Sequence, residues 1–154
     1  MSGNTEIFQG FIYRTRQTGL HSKSQFVFTN TEGKVYSNHC RIEGGTFLNP
    51  PGILSKNADV LLTWSGPLPR GDESVSLVIY PDSGRTLNIH PQADEPHSFL
   101  IARSLLTDIP TCKGNIALER SMKTRLAQGE HLGGLMVSDF KGKLHPVQIN
   151  PDMP

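Results

Sequence analysis

The sequence predicts an α+β fold: a mostly antiparallel, barrel-like β-sheet with two helices between the sixth strand and a C-terminal β-hairpin. Three observations carry this expectation. Ser74 to Tyr80 and Arg85 to His90 are β-rich runs around Pro81-Asp82-Ser83-Gly84. Val75, Leu77, Ile79, Leu87 and Ile89 keep one apolar face on both sides of that turn, which is the pattern of a hairpin. After Pro91 the apolar spacing changes from two to the helical period. Finally, 15 Gly and 11 Pro among 154 residues, with only 36% apolar residues, describe a turn-rich domain.

The elements follow in order. Ile7 to Arg16 is β-prone, with Ile7, Phe11 and Tyr13 on one face, and Gly10 predicts a bulge or a close backbone approach. Gln25 to Asn30 and Lys34 to Ile42 read as a hairpin around Thr31-Glu32-Gly33. Glu43 to Asn57 has paired glycines, Asn49-Pro50-Pro51-Gly52 and little periodicity, so it reads as a long ordered loop. Asp59 to Ser65 is a strand, and Gly66 to Asp72 a turn before the hairpin described above.

Glu95 to Thr107 has Phe99, Ala102, Leu105 and Leu106 at helical spacing, with Asp94 as N-cap and Pro96 in the first turn. Asn115 to Gln128 has Leu118, Met122 and Leu126 as an i, i+4, i+8 stripe, with Asn115 to cap it and Gly129 to end it. Leu135 to Gln148 returns to strand, turning at Phe140-Lys141-Gly142-Lys143. Residues 1–154 read as a single domain, frayed at 1–5 and 150–154.

A formal net charge of +1 argues against a basic wrapper of nucleic acid and against an acidic tail. Met1 to Glu6 lacks a basic and apolar leader pattern, and no apolar run approaches the roughly 18 residues of a membrane span. Cys40 and Cys112 are too few for a disulfide scaffold. The expectation is a cytoplasmic protein with no membrane partner and no cofactor. Six scattered histidines form no metal template, and Gly44-Gly45 and Gly133-Gly134 lack the context of a phosphate loop.

The densest cluster of cations lies between Gly10 and Arg41. There Arg14, Arg16, Lys23, Lys34 and Arg41 stand against one acid, Glu32, with Tyr13 and Tyr36 among them. A β surface of that composition can neutralise phosphates and stack bases, each stack worth roughly 1–3 kcal/mol. It can equally be a set of core aromatics with solvated charges. The expected function is therefore a non-catalytic binding module whose partner is a single-stranded nucleic acid or a protein.

The alternative is a small enzyme. Ser37-Asn38-His39-Cys40-Arg41 resembles the Ser-His-Gly-Cys signature of L,D-transpeptidases, with His39 where that family has glycine and His21 at a similar upstream spacing. The resemblance implies a hydrolase or transferase with Cys40 as nucleophile. Adjacent strand residues point to opposite faces, however, so His39 and Cys40 would not face each other. Tyr13-Arg14, Thr63-Trp64-Ser65 and Gln128-Gly129-Glu130 occur in the order of the motifs of ADP-ribosyltransferases, which they resemble. That resemblance implies an NAD site, with Arg14 on a phosphate and Glu130 on the ribosyl cation.

Overall fold

The computed structural model describes residues 23–127 and 135–150. Their elements are β1 (Ser24–Thr29), β2 (Val35–Cys40), β3 (Thr46–Phe47), β4 (Ile53–Ser55), β5 (Val60–Ser65), β6 (Glu73–Pro81), β7 (Leu87–Ile89), β8 (Ser98–Ile101), α1 (Arg103–Leu106), β9 (Cys112–Arg125), β10 (Leu135–Lys141) and β11 (His145–Asn150). Strands take up 54% of the described residues and helix 3%, and the main sheet curls into a half-barrel. The α+β expectation is thus wrong: the fold is mostly β, with one short helix.

The sheet grows outward from β6. Leu77 pairs with Ile89 and Ile79 with Leu87 across β7, as the alternation predicts. On the other side β6 pairs antiparallel with β9, from Glu73 opposite Met122 to Pro81 opposite Gly114. Val75, Leu77, Ile79, Leu87 and Ile89 are all buried in one core cluster. Ser76 and Val78, on the opposite face, are buried too. A strand covered on both faces loses strict alternation, which is why its middle reads as a continuous buried run.

β9 replaces the second predicted helix. Leu118, Met122 and Leu126 all have even numbers, so an i, i+4, i+8 stripe is also a subset of a period-two face. Ile116 and Leu118 point into the core, while Glu119 and Lys123 alternate outward. Pairing on both edges decides between the two periods, because β6 supplies one ladder and β10 with β11 the other.

β10 and β11 share the same edge of β9. Lys141 faces Glu119 and His145 faces Ile116, so residues 142–144 oppose only 117 and 118. The segment expected to turn at Phe140–Lys143 is instead one long strand with a one-residue bulge. The Gly142 N–H donates to the Leu118 carbonyl at 2.8 Å. A Cβ at Gly142 would sit 3.0 Å from that oxygen, so only glycine fits there without a shift. The predicted C-terminal hairpin is therefore not formed, because β10 and β11 both pair with β9 and not with each other. β4 closes the far edge by pairing parallel to β11.

The first predicted helix divides. Ser98 to Ile101 pairs with β5, Leu61 opposite Leu100 and Leu62 opposite Phe99, and only Arg103–Leu106 is helical. Neither Asp94 nor Pro96 starts it. Ala102 holds the N-cap position without a side-chain bond, and the Arg103 N–H donates instead to Asp59 Oδ1 at 2.8 Å. The acceptor lies 44 residues upstream, beyond the reach of any local capping pattern. β5 also pairs with β3, making a three-stranded sheet β3-β5-β8. Glu43–Asn57 is thus not wholly loop, since β3 and β4 lie within it. Phe47, Leu62, Trp64, Phe99 and Ile101 from the small sheet join the same core as the large one.

β1 and β2 form the predicted hairpin, from Ser24 opposite Cys40 to Thr29 opposite Val35. Gly33 has φ of 81°, and Asn30 Oδ1 accepts from the N–H groups of Glu32 and Lys34. An asparagine that mimics the turn backbone, followed by a left-handed glycine, explains why the turn falls there. The predicted strand Ile7–Arg16 lies outside the described residues.

Candidate functional site

Parity fixes what the β1–β2 hairpin presents. Tyr36, Asn38 and Cys40 are buried on one face. Gln25, Val27, Thr29, Val35 and His39 are exposed on the other. Val27 and Val35 are 58% and 59% exposed. They lie diagonally across the ladder, because Val27 opposes Ser37 and Val35 opposes Thr29. Among the described residues β1 and β2 pair only with each other.

The predicted binding residues fall into three groups. Tyr13, Arg14 and Arg16 lie outside the described residues. Lys23 and Lys34 are exposed, and the Lys34 Nζ stands 5.1 Å from the centre of the Tyr36 ring. Tyr36 itself is 5% exposed. Arg41 is exposed and pairs with Glu43. Phe47, Trp64 and Phe99 are also buried. Cys40 is buried with its neighbour His39 on the opposite face. Of the two enzyme constellations, Thr63-Trp64-Ser65 lies on β5, while Arg14 and Gln128-Gly129-Glu130 lie outside the described residues.

Sequence reasoning missed Arg120. It sits on the core face of β9 opposite Val75, with a side chain 1% exposed. Its Nε and Nη2 bind Glu73 Oε1 at 3.0 and 2.7 Å. Its Nη1 donates to the carbonyls of Pro67 and Gly44 at 2.9 and 3.4 Å. The guanidinium carbon lies 5.9 Å from the Trp64 ring centre. Glu73 Oε2 accepts the Arg70 N–H at 3.2 Å. All three guanidinium nitrogens of Arg120 are thus bonded inside the fold, which fastens the Gly44 and Gly66–Asp72 loops to the sheet. The adjoining cavity, between Arg41, Arg70 and Met122, holds about 140 Å³. Ligand pockets run to several hundred Å³, so this one suits water or a small ion. The only sequence signal for this site is a charged residue at an inward parity, and that becomes visible only once β9 is known to be a strand.

A second polar cluster lies on the outer face of the main sheet. The Tyr80 hydroxyl donates to Glu119 Oε1, and the Lys141 Nζ lies 3.4 Å from the same oxygen. That ammonium stands 3.8 Å from the Tyr80 ring centre, so Lys141 reaches from β10 across β9 to β6. Burial, then the Glu119 carboxylate, push the Tyr80 phenol up. The bond to Tyr80 pushes the Lys141 ammonium up. At neutral pH the phenol keeps its proton and the ammonium its charge.

The third feature is a groove of about 450 Å³ over Trp64, lined by Leu48, Thr63 and the Glu95–Ser98 turn. The Trp64 Nε1–H donates to the Pro96 carbonyl at 3.1 Å, and the His97 ring lies against the indole, tilted by 46° with centroids 4.9 Å apart. His97 Nε2 lies 3.0 Å from the Gly66 carbonyl, which selects the tautomer with that nitrogen protonated. These contacts hold a corner of the small sheet. Among the described residues no group of three His, Cys, Asp or Glu is placed to hold a metal ion, and no helix is long and apolar enough to cross a membrane. Comparison with protein-family models, with curated proteins and with solved structures gives no match.

Proposed function

We propose that the chain is a non-catalytic module that engages a protein partner through its N-terminal β surface, the β1–β2 hairpin. The observation that carries this reading is the pair Val27 and Val35, both well over half exposed on one face of the hairpin. Exposed β-branched side chains gathered on one face of a ladder suit packing against the apolar side chains of a protein partner.

The polar clusters favour binding over catalysis. The Arg120 guanidinium is tied to Glu73 and two carbonyls, and the shifted groups Tyr80 and Lys141 rest in their ordinary neutral-pH protonation states. The buried aromatics favour a protein over a single-stranded nucleic acid. Stacking needs an open ring face, and Tyr36 is 5% exposed.

The test is a titration of labelled single-stranded DNA and RNA at low salt, run beside selection of binders from a displayed peptide library. The expected result is no oligonucleotide binding at tens of micromolar protein, together with selected peptides that lose affinity for a Val27→Asp variant. Oligonucleotide binding with a log–log salt slope near −0.7 per phosphate contact would instead establish the nucleic-acid partner.

A further inference from the structure

β6 leaves β9 at Met122, and β9 continues with β10 as a two-stranded arm. In that arm Lys123 opposes Val137 and Arg125 opposes Leu135. Directly opposed residues share a face, so these four side chains stand together. Leu135 and Val137 are 58% and 50% exposed, whereas Met136 on the other face is 7% exposed. One face of the arm is covered and the other lies in solvent. Among the described residues Lys123 and Arg125 make no ion pair, and β10 has no strand partner except β9.

We infer that this arm docks an extended acidic segment of a partner protein, added as a strand to the open edge of β10, with acidic and apolar residues in alternation. The inference rests on the protein-partner reading but uses different strands from the hairpin. Apolar side chains of the added strand would cover Leu135 and Val137. Its carboxylates would stand across β10 from Lys123 and Arg125, two strand spacings or about 9.6 Å away. Lys141 already shows that a long cationic side chain on this sheet crosses a whole strand, since it reaches Tyr80 over β9. A phosphate backbone would satisfy the two cations but leave Leu135 and Val137 in water, so an acidic peptide matches the face better than a nucleic acid.

The experiment uses a fluorescein-labelled peptide of five Glu-Val repeats, its Lys-Val counterpart and a labelled oligothymidylate, titrated by anisotropy at low salt. The Glu-Val peptide is expected to bind with a Kd below about 1 mM. The double substitution Lys123→Glu/Arg125→Glu should weaken it about tenfold or more, the scale of two exposed ion pairs lost and reversed. Val137→Asp should also weaken it, and Val27→Asp on the hairpin should leave it unchanged. Absence of binding at 1 mM, equal binding of the Lys-Val peptide or oligothymidylate, or indifference to the Lys123/Arg125 substitutions would overturn the inference. So would an equal loss with Val27→Asp. A failed arm with an intact hairpin interaction would leave the protein-partner reading standing.

Discussion

Arg120 is the one charged residue buried among the described residues. A guanidinium 1% exposed is tolerable only because Glu73 and two backbone carbonyls take its donors. Arg120→Ala removes those partners and leaves the Glu73 carboxylate, 10% exposed, without its counter-charge. A stability loss of about 3–5 kcal/mol is expected from urea unfolding, the usual cost of breaking a buried pair from one side. A loss below about 1 kcal/mol would mean that Arg120 is not held inside. Tyr80 and Lys141 make a pH prediction. Both groups titrate higher in the fold than in the unfolded chain, where their ordinary values are about 10 and 10.4. The stability they contribute is fully present below those values and is lost as pH rises through the folded ones. Unfolding midpoints should therefore stay level from pH 7 to about 9.5 with respect to this cluster and fall above about pH 10. Tyr80→Phe should lessen that alkaline fall, and an identical fall in the variant would exclude the phenol as its source.

At the scale of elements, β6 is the strand around which the sheet is ordered. Leu77 is fully buried and paired on both sides, with Ile89 and with Leu118. Leu77→Ala should cost about 2–5 kcal/mol, and a loss under half a kcal/mol would place that face in solvent. The β1–β2 and β6–β7 hairpins were legible, because their alternation and turn chemistry are local. Asn30 and Gly33 fix one of them within five residues, and period two survives on both arms of the other. The two predicted helices failed for a physical reason. Leu118, Met122 and Leu126 satisfy both periods, and what selects strand is pairing with β6, about forty residues earlier in the chain. Ala117 and Arg120 deepened the ambiguity: one is a buried small residue on the outer face, the other a charge on the inner face. The short helix α1 takes its cap from Asp59, so no window around residue 103 contains the signal. The Gly142 bulge likewise reads as a turn until its partner Leu118 is known.

For the whole molecule, the two sheets close on one core to which Trp64, Phe99, Leu77, Ile116 and Ile149 all contribute. Among the described residues, Val27 and Val35 on the hairpin and Leu135 and Val137 on β10 remain as exposed apolar strand faces. The proposed surface was only partly legible in the sequence. The cationic cluster Lys23, Lys34 and Arg41 was visible as composition, whereas the burial of Tyr36 and the pairing of Arg41 with Glu43 depend on tertiary contacts. The central claim is that the solvent face of the β1–β2 hairpin carries the interaction. It is tested most directly by calorimetric titration of a library-selected peptide against the wild-type chain and the Val27→Asp/Val35→Asp variant, with unfolding curves confirming that both are folded. The account predicts a loss of at least about tenfold in affinity for the variant, which is about 1.4 kcal/mol. An unchanged affinity in a folded variant would contradict it.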